Sequence, residues 1–232
     1  MSLLTMMQET CKRIGLPSPN QVVGSTDDQI IQLLAIANEE GEDLAERHKW
    51  SVLVTEATWV AVATQLQGVM TTLAPGFKYL LPETAWNRTT IRRLQPISER
   101  DWQSTQANSI AGPNTYIRIK GGSLYAFPVP TAGDTCAFEY ISGNWCESSG
   151  GTGQSAWAAD ADVGRLSEGI MRAGVVWRWK KSKGLDYAED FRTYEARVIN
   201  AIARDGVVKP LNFGGGSKVH FVGNQNVQEG SW

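Results

Sequence analysis

The sequence predicts an α+β protein in which four helices pack as a four-helix bundle and carry an inserted β lobe and an extended C-terminal tail. Helical periodicity marks both ends of the chain, and a contiguous segment with strand-like alternation lies between them. Helices that flank one β segment are typical of an α+β design. The expected domains are the helical bundle at 1–50 and 157–205, the β-rich lobe at 51–146, a linker at 147–156 and the tail at 206–232.

Two amphipathic helices are predicted in the first fifty residues. Apolar residues step by three and four over residues 2–14, and Gly15 ends that pattern. The second helix follows an N-cap cluster that includes Asp27 and extends to Glu46. Its outer face is acidic, since no lysine or arginine occurs between those two residues.

The middle of the chain predicts strands and one short helix. Gly121 and Gly122 tolerate the positive φ of a tight turn, so they predict a hairpin. Ser98 is a suitable N-cap for a short helix that begins after it. The predicted strands are 52–62, 116–120, 123–127 and 134–142.

Helical periodicity returns after the glycine- and serine-rich residues 147–156, which have the composition of a flexible linker. One helix is expected over residues 163–177 and another over 187–202, with Gly184 between them. The predicted core of the bundle contains Ile30, Leu34, Ala37, Leu44, Leu166, Ile170, Trp177, Phe191, Tyr194 and Val198.

Composition narrows the class of function. A net charge of −2 gives no global attraction to nucleic acid or membrane. No apolar run approaches the ~20 residues that span a bilayer, and the N-terminus lacks the pattern of a signal peptide. The odd count of three cysteines favours a reducing cytosol. A pairing of Cys136 with Cys146 stays open.

The residues predict no catalytic site, no metal and no cofactor. His48 and His220 are the two histidines, and no Cys/His spacing matches a zinc site. The glycine-rich stretches at 150–153 and 214–218 do not match a phosphate-binding loop. The acidic helix could supply the paired carboxylates of a hydrolase, although a solvated helix face explains them more simply.

Two sets of residues are candidates for binding a partner. A basic stretch within residues 172–183 could be a solvated helix end, or it could dock an acidic protein surface or passing DNA. The acidic helix of a neighbouring subunit is one such surface, and a contact of this heterologous kind closes into a ring. The basic candidates are Arg172, Arg178, Lys180, Lys181 and Lys183.

The C-terminal tail is the second candidate. It is rich in glycine, asparagine and glutamine, so it cannot form a core of its own. Apolar residues within it could anchor it on a partner subunit, partly as an added strand. The candidate anchors are Leu211, Phe213, Val219, Phe221 and Trp232.

The order of several short motifs resembles the head-to-tail adaptor proteins of short-tailed bacteriophages, a group similar to tail tubular protein A. In the N-terminal part the resemblance rests on Gly15-Leu16-Pro17, Ser25-Thr26-Asp27, Ala37-Asn38-Glu39 and Trp50. In the middle it rests on Trp86-Asn87-Arg88, Ser98-Glu99-Arg100-Asp101-Trp102, Tyr116-Ile117-Arg118-Ile119 and the run from Pro128 to Asp134. It covers about residues 3–205.

The resemblance implies a structural virion protein that forms a dodecameric ring between the portal protein and a tail nozzle or tail tube protein. Double-stranded DNA would pass through the lumen without sequence-specific binding. The protein would be made in the bacterial cytoplasm and reside in the neck of the virion, with no membrane contact. Two alternatives remain: another ring or minor protein of tail completion, and a DNA-binding packaging component that uses the basic stretch.

Overall fold

The computed structural model describes residues 1–108, 112 and 114–206 of the chain. The described residues form six α-helices: α1 (Leu3–Ile14), α2 (Asp28–Arg47), α3 (Met70–Leu73), α4 (Glu99–Asn108), α5 (Glu168–Ser182) and α6 (Ala188–Arg204). They also form eleven strands: β1 (Val54–Val60), β2 (Leu66–Val69), β3 (Phe77–Leu80), β4 (Trp86–Asn87), β5 (Arg92–Pro96), β6 (Thr115–Lys120), β7 (Ser123–Phe127), β8 (Thr135–Ser142), β9 (Cys146–Glu147), β10 (Gly153–Gln154) and β11 (Val163–Gly164).

The largest element is an eight-stranded mixed sheet, so the predicted four-helix bundle is wrong. The strands follow the order β1-β8-β4-β5-β6-β7-β2, and β3 also pairs with β8. β5 and β6 are parallel, whereas the other neighbours are antiparallel. β9, β10 and β11 form a second, three-stranded sheet. The α+β character of the chain therefore comes from a curled sheet with helices packed at one end.

The helices surround α5 instead of sharing a core as four equivalent partners. α1, α2 and α6 each pack against α5. Its buried residues cover nearly the whole circumference: Ile170, Met171, Ala173, Gly174, Val175, Val176, Trp177 and Trp179. A helix that is apolar on all sides is a central, buried helix. The sequence analysis treated α5 as a helix with one apolar face, and it therefore did not predict that α5 is buried on nearly all sides.

β8 connects the helical core to the sheet core. Phe138 and Tyr140 on this strand belong to the apolar core of the sheet, together with Leu94, Ile117 and Leu124. Ile141, at the end of the same strand, belongs to the helical core with Leu33, Leu44 and Met171. The helical core and the core of the sheet are therefore connected through β8.

Most predicted elements are confirmed close to their expected bounds. α1 ends at Gly15, which has a φ of 78°. The side chain of Asp27 caps α2 by accepting a hydrogen bond from the Gln29 amide. The hairpin β6–β7 turns at Gly121 and Gly122, both with positive φ. α4 follows Ser98, whose hydroxyl accepts from the Asp101 amide at 3.2 Å.

Other predictions differ from the structure. α5 begins at Glu168, because Val163 lies in β11 and pairs with Glu147. Of the predicted core, Leu34 is only partly buried and Phe191 is 39% exposed, so Phe191 is a wrong assignment. The segment 147–156, which the sequence predicts to be a linker, contributes residues to β9 and β10. Cys11, Cys136 and Cys146 are free and buried, so the open pairing of the last two does not form.

Candidate interaction surfaces

The basic stretch runs along α5 from Arg172 to the C-cap residue Lys183, and three of its five residues pair with carboxylates of the same chain. Arg172 pairs with Glu9 of α1, and Lys180 pairs with Asp190 of α6. Arg178 pairs with acidic residues of α2. The spacing along α5 therefore serves first to attach this central helix to its three neighbours.

Arg178 is the centre of this network. Its guanidinium reaches three carboxylates at once: it donates through Nε to Glu40 at 2.8 Å and through the other two nitrogens to Glu39 and Asp43. The Arg178 side chain is 13% exposed and that of Glu40 is fully buried. An arginine fork suits several carboxylates because its donors point in fixed, separate directions.

The buried Glu40 carboxylate lies against Gly174 of α5 and Tyr194 of α6. A Cβ on Gly174 would overlap the Glu40 carboxylate, so only glycine fits there. Burial raises the pKa of Glu40 and outweighs the opposing hydrogen bonds from Tyr194 and Arg178. Burial together with the Glu40 carboxylate also raises the pKa of the Tyr194 hydroxyl. The three helices α2, α5 and α6 therefore meet at one buried polar cluster.

This arrangement changes the hypothesis of an acidic helix that meets the basic stretch of a neighbouring subunit. Arg178 joins the two patches within one chain, so it is not available to a second copy. Lys181 and Lys183 are the exposed members of the stretch. Their ammonium groups lie over the Trp177 and Trp179 rings, at 5.7 Å and 4.3 Å from the centroids.

Sequence reasoning missed a groove that α2, α5 and α6 form above the buried cluster. The groove has a volume of about 390 Å³. Its walls are Asp43, Glu46, Arg47, Trp177, Arg178, Phe191, Tyr194 and Glu195. Three of these are aromatic, and the Trp177 and Phe191 rings lie 5.0 Å apart. Because the sequence analysis assigned Phe191 to the core, it did not predict this surface. Phe191 follows Tyr187 by about one helical turn, and this spacing of two aromatic residues was the available signal.

A second polar cluster lies at the end of α6. Asp205, just after α6, accepts hydrogen bonds from the Ser51 hydroxyl and the Ser51 amide, and it pairs with His48 Nε2 at 3.0 Å. The predicted tail anchors, Leu211, Phe213, Val219, Phe221 and Trp232, lie outside the described residues.

This cluster of serine, aspartate and histidine does not have the geometry of a nucleophilic site. An activated serine donates its proton to the histidine, whereas the Ser51 hydroxyl donates to Asp205. The buried thiols are no better as nucleophiles, since burial raises the pKa of Cys136 to about 11 and that of Cys146 to about 12. Among the residues described, no cluster of His, Cys, Asp and Glu could hold a metal ion.

Two further observations concern membranes and similarity to known proteins. Within the described part of the chain, no helix has the length and apolarity to cross a bilayer. The model of a family described as SU10 adaptor protein matches residues 1–207, which is most of the chain. Among curated proteins, none matches this sequence.

Proposed function

Because the chain belongs to the SU10 adaptor protein family, a family of phage adaptor proteins, we propose that it forms a ring between the portal protein and the tail of a bacteriophage. The observation that carries this proposal is the family match over residues 1–207. The ring is dodecameric and lies in the neck of the virion. It binds the portal on one side and a tail nozzle or tail tube protein on the other, and DNA passes through its lumen.

The arrangement of charges supports a mechanical role over a DNA-binding one. Arg172, Arg178 and Lys180 neutralise carboxylates of their own chain, which leaves Lys181 and Lys183 as the exposed cations of the stretch. A surface that binds DNA through its phosphates needs several cations free to replace counterions. The stretch therefore serves mainly to hold the helices together, and its two lysines contribute to docking.

A pull-down with purified portal rings tests the proposed function. The protein should be retained by the portal. Images of the complex should show one layer of adaptor subunits on the portal, arranged as a ring with rotational symmetry. DNA binding is measured in parallel as a function of salt, because a packaging component would show a steep decrease of affinity with salt. Retention by DNA and not by the portal would contradict the proposal.

The tail and the exposed lysines are tested on the same portal assay. Truncation after Asp205 should leave the melting temperature of the remaining chain unchanged and should abolish stable retention on portal rings. The double variant Lys181→Glu/Lys183→Glu should slow ring assembly at low salt and have less effect at high salt, because rim charges mainly govern association rate. Lys12→Glu, an exposed lysine on α1, is the matched control.

A further inference from the structure

The hairpin between β4 and β5 ends in an exposed and strained residue. Ile91 has a φ of 54° and is 75% exposed, the highest exposure among the large apolar residues described. A β-branched residue rarely adopts positive φ, and such strain persists only where the surroundings impose it. A solvent-exposed isoleucine gains nothing from this conformation in the single chain.

The rest of the hairpin holds Ile91 in place. The Asn87 side chain accepts hydrogen bonds from the amides of Thr89 and Thr90, each at 3.0 Å. It also donates to Asp134 at 2.7 Å, and Asp134 is buried. The Thr135 amide donates to the Thr89 hydroxyl at 2.9 Å. The tip is therefore built to present Ile91 outward in one fixed conformation.

The hairpin is also basic. Residues 86–93 contain Arg88, Arg92 and Arg93 and no carboxylate. Arg88 pairs with Glu56 at 2.6 Å and Arg93 with Glu83 at 3.4 Å, yet the two arginine side chains are still 52% and 36% exposed. Arginine and large apolar side chains together are typical of the residues that dominate binding energy at protein interfaces.

The groove on the helices has the complementary chemistry. At or below the groove, five carboxylates form ion pairs with only three cations. The carboxylates are Glu39, Glu40, Asp43, Glu46 and Glu195, and the cations are Arg47, Lys78 and Arg178. Of the charged residues that line the groove itself, three are carboxylates, Asp43, Glu46 and Glu195, and two are cations, Arg47 and Arg178. Its apolar wall is open to solvent at Phe191, which is 39% exposed.

We propose that the hairpin tip of one copy, residues 88–93, docks into the groove of a second copy, with Ile91 against Phe191 and an arginine at the acidic rim. Both surfaces are exposed in the single chain, so neither is occupied by its own counterpart. They lie on different elements, the sheet and the helices. Two complementary patches at different places on one chain make a heterologous contact, which generates rings when the rotation closes.

The inference rests on the proposed ring, and cysteine crosslinking tests it directly. Two single variants, Ile91→Cys and Phe191→Cys, are mixed and oxidised, both in concentrated free protein and on portal rings. The native cysteines are buried, so the introduced thiols dominate the reaction. The matched control replaces the second variant by Ile199→Cys, which is 62% exposed on the same helix.

The mixed 91/191 pair should form an intermolecular disulfide about tenfold faster than the 91/199 pair, the ratio expected for a contact worth about one apolar side chain. Equal yields, or no disulfide from either pair in both preparations, would overturn the inference. A ring on the portal without the 91/191 crosslink would refute only this contact. If no 91/191 crosslink forms and Phe191→Asp also abolishes portal retention, the groove binds the portal. That result would also overturn the inference.

A second pair of variants separates docking from folding. Ile91→Gly removes both the strain and the apolar side chain, so its melting temperature should equal or exceed that of the wild type while self-association falls about tenfold. Glu83→Gly is the control, because Glu83 also has positive φ, at 67°. Its melting temperature should likewise equal or exceed that of the wild type, whereas its association should stay unchanged. Unchanged association of Ile91→Gly would count against the inference.

Discussion

At the scale of single residues, the pairing of Glu40 with Arg178 governs how three helices meet. Glu40 is fully buried and Arg178 is 13% exposed, so neither charge is well solvated. Buried pairs add little net stability relative to apolar residues, because desolvation offsets their attraction. Removing one partner is different, since it leaves the other charge buried without compensation. The pair therefore specifies the register of α2 against α5 more than it adds to the free energy of unfolding.

Arg178→Met should lower the free energy of unfolding by about 3–5 kcal/mol, the cost of an unpaired buried charge. The double variant Glu40→Met/Arg178→Met should recover most of that loss. Urea denaturation followed by far-UV circular dichroism measures both. Arg192→Met is the control, because Arg192 is 80% exposed in its pair with Glu189 and such pairs contribute at most about 1 kcal/mol. A double variant as unstable as the single one would contradict this account.

Asp205 predicts a defined dependence of stability on pH. Burial alone would raise its pKa, but the two hydrogen bonds from Ser51 and the contact with His48 outweigh burial and lower it. A carboxyl group whose pKa is lowered by folding stabilises the fold above its unfolded pKa, and this contribution is lost as pH falls through the folded value. Asp205→Asn should therefore cost about 1 kcal/mol at pH 7.

The difference between Asp205→Asn and wild type should shrink below about pH 4, where the carboxyl group of the unfolded chain takes up a proton before that of the folded protein does. Thermal melts at a series of pH values measure it. His48→Gln is a useful companion, because it removes one of the three partners and keeps the Ser51 bonds. A gap that stays constant down to pH 2 would contradict the assigned shift.

At the scale of elements, two glycines allow side chains from other elements to pack directly on the backbone of α2 and α5. Gly41 on α2 faces Trp145, and a Cβ there would lie 2.5 Å from the indole ring. Gly174 on α5 faces the Glu40 carboxylate in the same way. Glycine lowers helix propensity, so its presence inside two helices is explained by packing and by nothing in the local sequence.

Gly41→Ala and Gly174→Ala should each destabilise the protein by about 1–3 kcal/mol, although alanine is the better helix former, because overpacking forces side chains and backbone to shift. Gly169→Ala is the internal control. Gly169 lies in the first turn of α5 with nothing within 4 Å of its added Cβ, and it should gain up to about 1 kcal/mol. Chemical denaturation ranks the three variants. Stabilisation by Gly174→Ala would contradict the close approach described here.

Local signals predicted the elements, whereas long-range contacts escaped the sequence. Asp27, Gly15 and the Gly121-Gly122 pair act on their own neighbours, so the caps and the turn were visible in the sequence. The parallel pairing of β5 with β6 and the central position of α5 depend on residues far apart in the chain. The groove was missed for the same reason, because its three helices meet only in the folded protein.

At the scale of the whole molecule, β8 makes the two cores one cooperative unit. Its Phe138 lies in the sheet core and its Ile141 in the helical core, three residues apart on a single strand. Loss of either core would leave one end of this strand without its partners. The protein should therefore unfold in a single transition in spite of its two layers.

Leu33→Ala in the helical core and Leu124→Ala in the sheet core should each cost about 2–5 kcal/mol, because both side chains are fully buried. In each variant, tryptophan fluorescence and far-UV circular dichroism should report the same midpoint. Separate midpoints in Leu124→Ala would show that the sheet unfolds on its own. Val69→Ala, at an exposed position of β2, is the control for a substitution outside both cores.

The order of the helices along the chain also affects how the protein emerges from the ribosome. α2 is complete at Arg47, but α5, which covers its apolar face, is complete only at Ser182, about 135 residues later. At about 5–20 residues per second, the nascent chain carries an uncovered amphipathic helix for roughly 7–30 s. During that interval Leu33 and Leu44 face solvent or a chaperone, so we expect the yield of folded protein in the host to depend on chaperones that bind nascent apolar helices.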